Sequence, residues 1–187
     1  TKLLDAGLRV IARDGMRGLT HRAVENEAGV PHGSTTYYFG TRYDLLAALS
    51  VHMRETDRQL VEPIAHQLTL LLADRSQEFD LSAMAAATVA WVESHPELQL
   101  ARYEMQLAGA RDPQLKELMT DCAITFRRMI EPIVVGAGSK QPERHARMVQ
   151  SMVDGLVLDW LTHTDGDPGL IAEGLERAFP GDNFDTT

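Results

Sequence analysis

Two short helical patterns separated by a single glycine constrain this chain more than any other feature. The first runs from Thr20 to Ala28, with Thr20 as a natural N-cap and Ala23, Val24 and Ala28 on its apolar side. Gly29 breaks it. The second begins within a few residues, and Pro31 suits its first helical position because a proline's missing N–H is not needed there. The stretch Gly-Val-Pro-His-Gly-Ser-Thr-Thr-Tyr-Tyr-Phe, residues 29–39, holds few charges and little aliphatic surface, but many hydroxyls, phenols and one imidazole. That is poor material for a core helix and good material for a helix laid against a polar surface. Two helices joined by a short glycine-containing turn describe a helix-turn-helix, whose second helix enters the major groove of DNA.

The chain on either side of this stretch reads as helical. Leu3–Asp14 carries Leu4, Leu8 and Ile11 on one stripe, with Gly15 placed to end the helix and Leu19 expected as a buried anchor. Phe39 is expected to close the second short helix with its ring inward. Thr41-Arg42-Tyr43-Asp44 has the form of a capping box ahead of Leu45, Leu46 and Leu49. It opens a long helix predicted to stop near Leu60, because Pro63 discourages continuation. Further helical patterns cover 64–72 (expected mostly buried), 81–92, 97–108, 114–135 with a kink at Pro132, 142–163 and 169–179. The tail from Gly181 is polar and predicted to be disordered. No strand pattern and no repeat is visible, and an aromatic content of 6% beside plentiful Ala, Leu and Met favours helices. The expected fold class is all-α, with about nine or ten helices. A three-helix N-terminal helix-turn-helix domain spans residues 1–46, a larger helical domain spans 47–180, and the disordered tail spans 181–187.

A formal net charge of −9 over 187 residues argues at first against nucleic acid. The distribution reverses that argument. Residues 1–47 hold six basic residues (Lys2, Arg9, Arg13, Arg17, Arg22 and Arg42) and five acidic ones, whereas the remainder holds 12 basic and 22 acidic. The acid therefore lies outside the helix-turn-helix, where it limits non-specific binding without preventing a local basic face from meeting phosphate. The single cysteine, Cys122, forbids an internal disulfide and fits a reducing cytoplasm. No apolar run approaches the roughly 20 residues of a membrane span, and no signal-peptide pattern is visible. Thr1 already lies inside a helical pattern, which predicts a few native residues before it.

The fixed spacings over residues 3–49 resemble the tetracycline-repressor (TetR) family of transcription regulators. Leu-Leu-Asp-Ala-Gly-Leu-Arg-Val-Ile-Ala-Arg-Asp-Gly is similar to that family's first helix. Leu19-Thr20-His21-Arg22-Ala23-Val24 and Ala28-Gly29-Val30 resemble its second helix and turn. Gly33-Ser34, Tyr37-Tyr38-Phe39, Arg42 and Leu45-Leu46 resemble its recognition helix and the start of its fourth. The resemblance implies a homodimeric DNA-binding repressor of a palindromic operator, with a pocket in the larger domain for a hydrophobic or amphipathic effector that releases the DNA. By position it implies base contact from Arg22 and from His32, Gly33 and Ser34. It implies phosphate contact from His21 and Arg42, and backbone contact from Tyr37 and Tyr38. Thr20, Pro31 and Thr36 complete the expected DNA-binding set. Departures occur at Pro31, where many members carry a Ser or Thr cap, at Thr36, where Tyr is usual, at Tyr38, where His is usual, and at Thr35, which takes an aliphatic slot.

The residues carry alternative readings. Arg22 alone reads as a solvated arginine, and its place after the N-cap of a helix-turn-helix is what turns it toward guanine. Tyr37 and Tyr38 lie about 100° apart on a helix, so they cannot both point inward with Phe39, and at least one hydroxyl is expected on a phosphate. His32 serves equally as base contact, phosphate contact or exposed side chain. In the larger domain, polar groups on apolar faces (Thr88, Tyr103, Glu104, Gln106 and Thr125) are candidate ligand contacts, and Met84, Trp91 and Met105 candidate walls. Each has a core or surface alternative. Val149, Met152, Val153, Leu156 and Trp160 form an apolar stripe on which Gly155 permits close helix approach, the pattern of a twofold dimer interface. No metal-ligand spacing, phosphate-binding glycine loop or cofactor motif is present. An enzyme is the alternative of a different class, resting on scattered acids and histidines such as His95 with Glu93 and Glu104, though nothing sets a nucleophile beside a base. A regulator of the same architecture acting as an activator or as a protein-binding adaptor is the third reading.

Overall fold

The computed structural model describes residues 1–73, 81–163 and 167–179, and the side chains of these except 71–73, 81–84 and 168. Every regular element among the described residues is an α-helix, as expected. In chain order these are α1 Lys2–Gly18, α2 His21–Ala28, α3 Ser34–Tyr38, α4 Arg42–Ala73, α5 Leu81–Ser94, α6 Pro96–Gly109, α7 Pro113–Gly136, α8 Pro142–Thr162 and α9 Pro168–Ala178. The expected disordered tail from Gly181 lies outside the described residues. The chain forms two compact units, Thr1–Thr56 with His95–Ile124, and Asp57–Ser94 with Thr125–Thr187.

The first unit grows from α1. Its regular backbone breaks at Gly15, at φ 69° and ψ −176°, a conformation that glycine reaches at little cost. This is the stop expected there, followed by one more turn to Gly18. Ala6, Val10 and Ile11 are fully buried against Leu19 and Val24, with Leu45, Leu49 and Met53 from α4 in the same core. The core also takes Leu98, Ala101 and Met105 from α6, and Leu115, Met119 and Cys122 from α7. Each Val, Leu, Ile or Met of this core contributes about 1.5–3 kcal/mol by leaving water. Gly109 lets α7 fold back closely on α6, since a Cβ there would lie 3.2 Å from the backbone of Lys116. This unit therefore reaches well beyond residues 1–46, and α6 packs on α1 within it.

Local capping follows the sequence closely. Ala23 N–H donates to Thr20 Oγ1 at 3.1 Å, and Gly29 ends α2 in the left-handed region at φ 60°. At α4 the capping box closes. Asp44 N–H donates to Thr41 Oγ1 at 3.1 Å, while the Thr41 N–H donates to Asp44 Oδ2 at 2.9 Å. Replacing Thr20 by Ala leaves the first donors of α2 without that acceptor and is expected to lower the stability of the first unit by about 1 kcal/mol. Urea denaturation followed by helical circular dichroism measures this, and an unchanged midpoint would mean the cap is idle.

Two expectations are corrected. Helix α4 does not stop near Leu60 but continues through Pro63 to Ala73. A mid-helix proline removes one hydrogen bond and costs about 3 kcal/mol. The apolar side chains beyond it, with Ala65 and Leu68 buried, outweigh that cost by packing in the second unit. Leu70 in the same stretch is exposed, so 64–70 is one-sided rather than mostly buried, and the side chains of 71–72 lie outside those described. Pro31 does not open the second short helix either. Helix α3 begins at Ser34, and Gly33 before it holds φ 91°, which no helical N1 residue adopts.

The second unit packs α9 against α5 and α8. Its core contains Val92, Phe126, Ile130, Ile133, Val134, Val149, Val153, Val157, Ile171, Leu175 and Phe179. Gly174 receives Leu156, whose Cδ1 would lie 2.7 Å from a Cβ at that position.

Candidate nucleic-acid interface and candidate ligand cavity

The residues expected at DNA all lie in the first unit, on α2, the turn, α3 and the start of α4. Helix α3 is short, and it is amphipathic in an unusual sense. Thr35 is fully buried in the slot that an aliphatic residue fills elsewhere, and its Oγ1 has no hydrogen-bond partner among the described residues. Phe39 is half-buried against the core. Tyr37 and Tyr38 stand out at 83% and 68% exposure, their rings edge to face at 5.1 Å. Among the described residues neither phenol hydroxyl is held by the fold. Thr36 is exposed and lies 3.2 Å from His21 Nδ1, which ties α3 to α2. The His21 Nε2 is buried with no hydrogen-bond partner among the described residues. Arg22 is exposed on the first turn of α2, and no ion pair engages it among the described residues. Ser34 Oγ donates to the Pro31 carbonyl at 2.6 Å, so its hydroxyl is partly committed to the turn. Arg42 donates to the Met16 carbonyl at 2.6 Å, which keeps its charge on this surface.

Sequence reasoning missed Glu25. Its carboxylate is almost wholly buried and accepts the Gly33 and Thr35 N–H groups, both at 2.9 Å, with His32 Nδ1 at 3.3 Å. Burial pushes this carboxyl up, but the Thr35 N–H, the His32 ring and the Gly33 N–H together outweigh it and hold the group below its usual range. A folded value below the unfolded one means that the interaction stabilises fully above about pH 4.5, the ordinary value, and fades as pH falls through the folded value. The signal was visible in the sequence as an acid on the face of α2 that also holds Val24 and Ala28. On the same unit Glu27 receives Arg9 at 2.8 Å and Arg13 at 2.7 Å, and these two arginines draw its carboxyl down. Two of the six cations counted in this segment are thus already paired.

The ligand candidates separate. In the second unit, Thr88 and Trp91 line a cavity of about 70 Å³ whose wall includes Ile64, Ala65, Ala87, Phe126, Ile130, Val153 and Phe179. The Trp91 and Phe126 rings lie 5.7 Å apart. Thr88 contributes a hydroxyl to a wall that is otherwise carbon, apart from the Trp91 indole nitrogen. Thr125 instead lines a second pocket of about 390 Å³, whose wall mixes Arg58, Glu62, His66 and Arg128 with Ala65, Met129 and Pro132. Tyr103, Glu104 and Met105 belong to the first unit. Met105 is fully buried in its core, and the Glu104 carboxylate lies beside Gly15. The structure does not bring them to the cavity, because Leu98, Ala101 and Met105 share the α6 face that packs on α1. Met84 lies outside the residues whose side chains are described.

The expected interface stripe on α8 also divides. Val149 and Val153 are buried and line the cavity of their own unit, which removes them from any partner-facing surface. Met152, Leu156 and Trp160 are half-buried, and Gly155 is exposed with open space beside it. Met148 and Leu158 on the same helix are exposed, and these apolar side chains were not singled out from the sequence. Among the described residues no helix is long and apolar enough to cross a membrane.

Comparison with known proteins now adds what geometry alone does not. Residues 3–49 match the family model described as bacterial regulatory proteins, tetR family, and residues 75–181 match the tetracyclin repressor-like C-terminal domain. The HTH-type transcriptional regulator BetI of Vibrio atlanticus is 27% identical over 98% of this chain and 88% of its own. The nicotine-responsive repressor HdnoR of Paenarthrobacter nicotinovorans is 24% identical over 94% of this chain and 93% of its own. Among solved structures, the multidrug binding protein EbrR in complex with ethidium is 31% identical, with a TM-score of 0.70 over 96% of this chain and 97% of that one. A TetR-family member from Streptomyces coelicolor aligns at a TM-score of 0.74 and 29% identity, over 96% of each chain.

Proposed function

The chain belongs to the TetR family of transcription regulators, and from that premise we propose that it is a homodimeric repressor that binds a palindromic operator through α2 and α3 and lets go when a small apolar or amphipathic molecule occupies the second unit. One observation carries the DNA half of this reading. Two adjacent phenols stand out in solvent on a short helix whose other side is held in the core, beside an exposed Arg22 on the preceding helix. A soluble protein has no folding reason to expose both rings. Residues 1–46 act as the recognition part, held by the other residues of the first unit, and the second unit serves ligand and dimer. The dimer is supported by the exposed Met148 and Leu158 and the open space beside Gly155 on α8. Twofold symmetry would set two copies of α3 about one helical turn of DNA apart. The site of action is the cytoplasm.

The effector half rests on the cavity wall. Aliphatic side chains, Trp91, Phe126 and Phe179, with the Thr88 hydroxyl among them, favour an apolar molecule with a flat ring and a single polar group. The multidrug binding protein EbrR, similar to this chain, has been solved in complex with ethidium, proflavin and malachite green, which supports an aromatic effector. Filling the cavity by Ala87→Phe is expected to weaken effector-driven release by roughly tenfold or more while leaving operator affinity unchanged. Release of DNA at wild-type effector concentration by this variant would place the effector elsewhere.

The primary test is fluorescence anisotropy of the whole protein with DNA from upstream of its own gene, against scrambled competitor and over a range of salt. Competitor-resistant binding supports the reading, and a screen for releasing molecules follows in the same cell. If a selection from random duplexes also recovers no preferred site, the regulator reading fails.

A further inference from the structure

Glu25 occupies a position at which a carboxylate is costly. It is 3% exposed on a helix whose neighbouring Val24 and Ala28 are buried. A buried charge persists only when its oxygens are engaged. Here all of its hydrogen-bonding partners come from one short stretch further along the chain, which is the stretch expected to face DNA. Oε1 accepts from Gly33 N–H and Thr35 N–H, and Oε2 faces His32 Nδ1. Helix α3 has no side-chain cap of its own, because Gly33 fills the N-cap position. Glu25 supplies the missing acceptor from the preceding helix.

The chemistry of that third contact fixes a further property. An ionised carboxylate accepts and cannot donate, so His32 Nδ1 must carry the hydrogen. In the neutral imidazole the bare nitrogen is then Nε2, on the far side of a ring whose side chain is 67% exposed. A bare ring nitrogen is an acceptor. In the major groove the donors are the exocyclic amino groups of adenine and cytosine, whereas guanine offers O6 and N7 as acceptors.

Resting on the DNA-binding reading above, we propose that Glu25 is a positioning residue for base recognition: it caps α3 and locks His32 in the tautomer that presents Nε2 outward, so that this histidine selects an adenine or cytosine amino group in each half-site. Glu25 itself touches no base. It acts through the turn and through the ring, and neither effect is available to a side chain that merely fills the same volume.

The test uses the whole protein at pH 8, above the ordinary histidine pKa of about 6.5. Nitrogen-15 spectra of wild type are expected to show His32 Nε2 as a bare, pyridine-like nitrogen, and selection from randomised duplexes to return A or C at one position of each half-site. In Glu25→Gln the amide can donate to Nδ1, so the tautomers are expected to mix and the preference at that position to fall by roughly fivefold, the worth of one net hydrogen bond. His32→Ala, at an exposed side chain, keeps the fold and is expected to lose the same preference. A protonated Nε2 in wild type overturns the inference, as does an unchanged base preference in both variants. If Glu25→Gln does not fold and His32→Ala keeps the wild-type preference, Glu25 is a folding requirement only, and the inference falls. If wild type selects no sequence at all, the DNA-binding reading itself has failed, a result separable from either variant because the nitrogen spectra are recorded without DNA.

Discussion

Met105→Ala is expected to weaken operator binding sharply, although the residue lies far along the chain from α2 and α3 and offers nothing to DNA. Met105 is fully buried, in a core it shares with Val10, Ile11, Leu45 and Leu49. Cutting it to Ala removes buried methylenes and leaves a void, at a cost of about 2–5 kcal/mol. That is a large part of the roughly 5–15 kcal/mol that holds an ordinary domain together. The unit that presents Arg22, Tyr37 and Tyr38 includes α6, so its unfolding removes the binding surface. Denaturant melts paired with anisotropy titrations decide the matter. A shifted midpoint with reduced DNA affinity supports it. A wild-type midpoint combined with altered effector response would return Met105 to the cavity wall where sequence reasoning had put it.

Arg22→Ala is expected to act in the opposite manner, with no effect on folding and a large effect on recognition. The side chain is exposed and makes no ion pair among the described residues, so its removal should alter stability by less than about 0.5 kcal/mol. A guanidinium donating to guanine O6 and N7 is worth roughly 1–3 kcal/mol of discrimination. The variant should therefore bind operator some tenfold or more less tightly and relax one position of each half-site, while affinity for scrambled duplex changes little. Anisotropy with operator and scrambled DNA measures both. Equal binding of operator by variant and wild type would remove Arg22 from the base-reading set.

Sequence alone carried the elements and those ends that local caps determine. Thr20, Gly29 and the Thr41–Asp44 box act over three or four residues, and local chemistry of that range is written in neighbouring letters. Two kinds of fact were not. The stripe Leu98, Ala101, Met105 announces a buried face, but periodicity does not say which helix covers it. Met105 therefore read as cavity wall when its face belongs to α1. Pro63 was weighed by its local cost, whereas the burial of Ala65 and Leu68 beyond it comes from distant parts of the chain. The start of α3 failed for a related reason. Its acceptor is Glu25, eight residues before Gly33, and no rule for helix beginnings that looks only at adjacent residues contains it. Within the interface stripe, Val149 and Val153 turned inward for want of any sequence signal separating a core face from a partner face.

The pairing of Glu27 with Arg9 and Arg13 bears on how such a protein would find its site. With Glu27 on both guanidiniums and Asp14 on Arg13 as well, at 2.7–2.9 Å, two carboxylates balance two cations, and such a pair of arginines displaces few condensed counterions when duplex arrives. Counterion displacement is what makes a protein linger on arbitrary sequence and slide along it. With two of its cations withdrawn and an acidic remainder, a chain used as proposed here would search by brief hops through solution, and would stay only where the base edges fit.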